Sequence, residues 1–109
     1  MKTILLETNS ITDWNSFHSQ FATLMGFPDF YGRNMNAWID CMSYLTAPNE
    51  KMSKIHLENG EALVIQISHT NDFRKRMPEI YDELIYCVVA VNNHFAKRKE
   101  SSVVALAFL

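Results

Sequence analysis

The 109 residues are 48% hydrophobic and carry 10 Lys and Arg against 12 Asp and Glu, a formal net charge of −2. A chain of this length can bury one sizeable core but not two, so residues 1–109 are expected to form a single domain. The near-balanced charge provides no overall field to draw the molecule onto nucleic acid, and no apolar run is long enough for a secretory leader or a membrane span, which predicts a cytosolic protein.

Residues 2–6, KTILL, are apolar and rich in β-branched side chains and fit an opening strand. Ser10 or Thr12 is placed to cap a helix over residues 13–25, where Trp14, Phe17, Phe21, Leu24 and Met25 recur at spacings of three and four and so share one face. Gly26 suits the left-handed position that ends such a helix, and Pro28 prevents its continuation. Phe30, Tyr31 and Gly32 make a short bulky connection in which Gly32 can supply a positive φ. Asn34 then caps a second helix, whose core face is Met35, Trp38, Ile39, Met42 and Leu45 and which ends near Ala47-Pro48.

Residues 47–54, APNEKMSK, have no periodicity and read as a surface loop. Asn59-Gly60, between two β-prone runs, predicts a tight hairpin. The runs Ala62–Ile67 and Val103–Phe108 are almost continuously apolar, as in strands covered on both faces. Between them Ile80, Leu84, Val88, Val91 and Phe95 trace a helix that opens at Pro78 and closes on Lys97, Arg98 and Lys99, cations that complement the carbonyl end. The order gives an α/β fold: a small, mostly parallel sheet of three to four strands packed with three to four helices.

Catalytic and ligand-binding signatures are missing. His18, His56, His69 and His94 are scattered, Cys41 and Cys87 stand apart as buried thiols, and there is no metal-ligand spacing, nucleotide-binding glycine motif or nucleophile elbow. Glu79, Asp82 and Glu83 open a helix, where the dipole accounts for them. The chain therefore reads as non-catalytic, with no cofactor and no metal.

The one polar feature with a chemical direction lies on the second helix. At about 100° per residue, Asn36, Asp40 and Ser43 fall within roughly 60° of one another, opposite the core positions, and Phe30, Tyr31 and Arg33 reach the start of that helix. An acid beside aromatic side chains suits protein recognition, because the aromatics exclude water around the charge. A solvated helix residue is the plainer alternative, and spacing does not decide between them.

The stretch FPDFYGRNMNAWIDC, residues 27–41, resembles the signature of the barstar family, intracellular inhibitors of the secreted ribonuclease barnase. The match is proline, acid, two aromatics, Gly, any residue and Asn, followed by a helix bearing Ala, a bulky apolar pair, Asp and Cys. The strand and helix before it and the final helix and strand fit the family in order and length, while residues 47–78 look enlarged. The resemblance implies an inhibitor or immunity protein, monomeric when free, whose loop and second helix plug a ribonuclease or related toxin. Asp40 would then occupy a phosphate position, with Phe30, Tyr31, Arg33, Asn36 and Ser43 as further partner-binding residues. Tyr31 can equally roof the core.

The chain departs from the family's best-known member in charge. Phe30 replaces a Tyr, Asn36 and Arg33 stand where that relative has acids, and Lys97-Arg98-Lys99 replaces an acidic, partner-facing helix end. The weaker negative field implies less steering toward a basic ribonuclease. Two other readings follow from these departures: a barstar-like binding or regulatory domain with a different partner, and a nucleic-acid binder using residues 97–99, which the net charge disfavours.

Overall fold

The computed structural model describes all residues, 1–109. Three strands, β1 (Lys2–Leu6), β2 (Ala62–Ile67) and β3 (Val103–Phe108), form one sheet in the order β1-β2-β3, and both pairings are parallel. Four helices fill the connections: α1 (Trp14–Met25) and α2 (Met35–Ser43) between β1 and β2, α3 (Thr70–Arg76) and α4 (Pro78–Lys97) between β2 and β3. No helix is long and apolar enough to cross a membrane.

Parallel strands need crossover connections, and two right-handed crossovers taken in the same direction put their helices on the same side. Burial follows that rule. Leu63, Ile65 and Ile67 of β2 are buried with Ile4, Leu6 and Val104, whereas Ala62, Val64 and Gln66 on the opposite face are only half-buried. The expectation that β2 and β3 are covered on both faces is therefore corrected: the fold has two layers, and one sheet face is open.

The predicted hairpin is also corrected. Asn59-Gly60 does form a turn, with Gly60 at φ 89° and the Glu61 N–H donating to the Glu58 carbonyl at 2.9 Å. Residues 55–58 are not a strand, however, because β2 is central and both of its edges are already occupied by β1 and β3. Leu57 instead donates its N–H to the Leu45 carbonyl at 2.8 Å, beyond the end of α2.

Several local signals act as expected. Gly26 takes the left-handed conformation at the end of α1 (φ 65°), and Pro78 opens α4. The cap of α1 is neither Ser10 nor Thr12: Thr8–Ser10 coils into a 3-10 turn, and Asp13 caps, accepting from the Ser16 N–H at 2.7 Å in a reciprocal capping box. Helix α2 ends at Ser43, four residues before the expected stop. Helix α3 was not foreseen. Only Phe73 on it is buried, and it is held by Arg76, which pairs with Asp72 at 2.8 Å and donates to the Thr8 and Ile11 carbonyls.

Amide side chains blunt both outer margins of the sheet. Asn92 of α4 donates to the Val104 carbonyl at 2.9 Å and accepts from its N–H at 2.8 Å, while Gln20 of α1 does the same for Glu7, just beyond β1. Each amide mimics a neighbouring strand and removes a template for edge-to-edge pairing. Asn92→Ala is expected to destabilise the fold by about 2 kcal/mol, because two hydrogen bonds are lost at a half-buried residue, and to increase self-association. Urea unfolding and size-exclusion chromatography check the two effects separately.

Candidate functional site

The region between α1 and α2 is built by fixing two aromatics inward and leaving a third outside. The Gly26 turn redirects the chain, Phe27 packs on Tyr31 with ring centroids 4.8 Å apart, and the Tyr31 N–H donates to the Pro28 carbonyl at 2.9 Å. Tyr31 is 8% exposed and its hydroxyl is 2.5 Å from Nδ1 of His18, itself 3% exposed on α1. Phe30, between these anchors, is 74% exposed. Of the two aromatics singled out in the sequence, one roofs the core and one faces solvent.

Gly32 does not take the positive φ expected of it; Arg33 does, at φ 53°. The left-handed region costs a residue with a Cβ roughly 1 kcal/mol, and here the Arg33 side chain offsets that cost. Its guanidinium donates to the Asn15 carbonyl at 2.8 Å, the Asn15 side-chain oxygen at 2.6 Å and the Ser19 hydroxyl at 2.8 Å. At Gly32 a Cβ would fit tightly, 3.3 Å from the Asn34 amide nitrogen and in ordinary contact, 3.4 Å, with the Ala37 Cβ. Asn34 then caps α2 as expected, accepting from the Ala37 N–H at 2.8 Å.

Helix α2 is seated by Trp38, fully buried and edge-on to Phe21 at 5.5 Å. That seating turns Asn36 and Asp40 outward, both exposed on one face, and none of the ion pairs within the chain uses Asp40. Ser43 does not join them. It is 3% exposed and its hydroxyl donates to the Asp40 carbonyl at 2.9 Å, so the expected polar stripe of three is corrected to two. Arg98 from α4 accounts for this: it bonds the carbonyl of Ser43, the last residue of α2, and so covers the end of the helix. Arg98 also lies over the Tyr44 ring at 5.5 Å, so within the basic run it clamps the end of α2 while Lys97 and Lys99 remain exposed.

Phe30, Tyr31, Gly32, Ala37, Asp40, Cys41 and Met52 line a shallow recess of about 150 Å³. Thus Phe30, Tyr31 and Asp40 come together, Asn36 is one helical turn from Asp40, and Arg33 is turned away onto α1. Met52 was missed because its loop has no periodicity, and His18 because a single histidine beside the apolar face of an amphipathic helix gives no signal. Burial raises the thiol pKa of Cys41 to about 11, helped by the neighbouring Asp40 charge, so this thiol stays protonated and inert near neutral pH.

Burial, and secondarily the Arg33 charge, holds His18 below its usual pKa of 6.5. The unfolded chain accepts a proton that the folded chain resists. This contribution to stability is therefore complete above pH 6.5 and is lost as the pH falls through 6.5 toward the lower folded value. Thermal melts across this range should show a destabilisation on the acid side that His18→Gln reduces.

Comparison with known families matches residues 1–107 to the family described as Barstar (barnase inhibitor). No curated protein matches the chain. The family match covers nearly the whole chain, and the observed parallel sheet and four helices are consistent with the compact barstar-like fold: the chain belongs to the barstar family of barnase inhibitors.

Proposed function

We propose that this protein binds and blocks the active site of a ribonuclease or related nuclease toxin, with the Asp40 carboxylate standing where an RNA phosphate would stand. The observation that carries this reading is an exposed carboxylate, outside every ion pair of its own chain, on a helix whose underside, Trp38, Cys41 and Met42, is buried in the core. An ionised carboxylate accepts hydrogen bonds only, as a phosphate oxygen does, and an arginine fork can bind it in a bidentate manner. A cleft that binds RNA supplies such cations. Phe30 and the recess beside Asp40 would exclude water from the pair, which strengthens it electrostatically.

The protein contributes shape and charge rather than chemistry, and it would act as a one-domain monomer inside the cell that makes or meets the nuclease. The His18–Tyr31 bond and the three Arg33 bonds hold the loop before the partner arrives, so little ordering entropy is lost on binding. A barstar-like binding domain for another partner is the second reading, favoured by the neutral Asn36 and the inward turn of Arg33.

The test is to mix the protein with barnase and a panel of ribonuclease toxins and follow RNA hydrolysis. The expected result is stoichiometric inhibition of at least one nuclease, relieved by a non-cleavable RNA competing for the same cleft. Binding that leaves RNA hydrolysis intact would transfer support to the second reading.

A further inference from the structure

Resting on the assignment of Asp40 as the anchor, the recess beside it contains one residue that neither α2 nor the turn before it supplies. Met52 comes from the long connection between α2 and β2, yet it lines the same recess as Phe30, Tyr31 and Asp40. It is half-buried and packs against the core, so its place is set by the fold.

The connection around Met52 is tied down although its sequence has no period. Lys51 turns the chain at φ 56°, and the Ser53 hydroxyl donates to the Ile55 carbonyl at 2.7 Å. The Lys54 N–H donates to the Met25 carbonyl, at the end of α1, at 2.9 Å, and the Leu57 N–H reaches the Leu45 carbonyl, beyond the end of α2. The Lys54 stem lies directly over Gly26, where even a Cβ would come within 2.6 Å of it. The glycine that turns the chain out of α1 therefore also admits the segment that carries Met52.

Of the seven residues that line the recess, Asp40 alone is charged. Asp29, Glu50, Lys51 and Lys54 are exposed and close in sequence to Phe30 or Met52, and none of them lines it. At about 150 Å³ the recess is well below the roughly 300–1,000 Å³ of small-ligand pockets and has room for one side chain of a protein partner. Phe30 and Met52 give it apolar walls, and the three torsions and polarizable sulfur of a methionine let that wall adjust to what enters.

We propose that Met52 is a specificity determinant of the docking face. It selects nucleases that present an apolar side chain next to the cation received by Asp40, and it shields that ion pair from water.

Surface plasmon resonance with barnase and the panel of ribonuclease toxins tests this, using wild type, Met52→Ala, Met52→Leu and Met52→Gln, each at the concentration of folded protein given by urea unfolding. Met52→Ala is expected to dissociate about tenfold faster. Met52→Leu, of similar volume and still apolar, should stay close to wild type, and Met52→Gln, of similar shape but polar, should follow Met52→Ala. Met52→Ala combined with Asp40→Ala should lose less than the product of the two separate losses, because the water admitted by either removal has already weakened the other contact. Wild-type dissociation of Met52→Ala or Met52→Gln, or single losses that simply multiply, overturns the role of Met52, while a loss on Asp40→Ala leaves the anchor standing. Failure to bind any nuclease of the panel overturns the anchor assignment and this inference together.

Discussion

Asp40→Ala is expected to weaken the nuclease complex by about 3–5 kcal/mol, roughly a hundredfold to a few thousandfold in Kd, while leaving the free protein as stable as before. The two halves of this expectation have separate causes. In the free protein the side chain is exposed and outside every ion pair, so its removal costs nothing beyond the usual surface range of about ±0.5 kcal/mol. In the complex its removal leaves the partner's cations buried without a counter-charge, and that desolvation dominates the loss. The change should appear mainly in the dissociation rate, because one short-range contact is lost while the approach of the two surfaces is little altered. Asp40→Asn keeps the shape and removes the charge, so it should lose most of the same affinity. Surface plasmon resonance of both variants alongside urea unfolding gives the decision. An Asp40→Ala protein that unfolds would make the residue structural, and one that inhibits as well as wild type would place the anchor elsewhere.

The parts of this site that could be read from sequence are those set by neighbours a few residues away. The inward stripe of Met35, Trp38, Ile39 and Met42, the Asn34 cap and the Gly26 turn each depend on neighbours along one helix, and each has the predicted form, whereas Leu45 is buried from beyond the end of α2. What failed depended on distant partners. The Asn59-Gly60 turn formed, but its preceding residues could not become a strand once β1 and β3 had taken both sides of β2. Gly32 was the natural choice for a positive φ, yet Arg33 adopts it because Asn15 and Ser19, on another helix, receive its guanidinium. Ser43 left the polar stripe because Arg98, from a distant helix, covers the end of α2. The exposed positions of Asp40 and Asn36 follow from the burial of Trp38 and could be anticipated; the pairing of His18 with Tyr31 could not, since it joins residues whose sequence context gives neither a reason to meet.

Trp38→Ala is expected to lower stability by about 3–5 kcal/mol, a large share of the roughly 5–15 kcal/mol that keeps a domain folded. Trp38 is fully buried and meets Phe21 edge-on at 5.5 Å, so truncation leaves a cavity at the contact that seats α2 on α1. Trp38→Phe should cost considerably less than truncation. The ring remains, and the buried indole N–H, which has no hydrogen-bond partner within the fold, is removed together with its desolvation cost of about 1–3 kcal/mol. The substitution thereby separates two ways of losing inhibition. Asp40→Ala should give a stable protein that binds poorly, whereas Trp38→Ala should give a protein that binds well in proportion to the fraction still folded. Chemical denaturation combined with titration of active inhibitor at low temperature distinguishes them. If the folded fraction of Trp38→Ala bound as weakly as Asp40→Ala, the orientation of α2 would itself depend on this one contact, and the carboxylate would be displayed by Trp38 rather than by the fold as a whole.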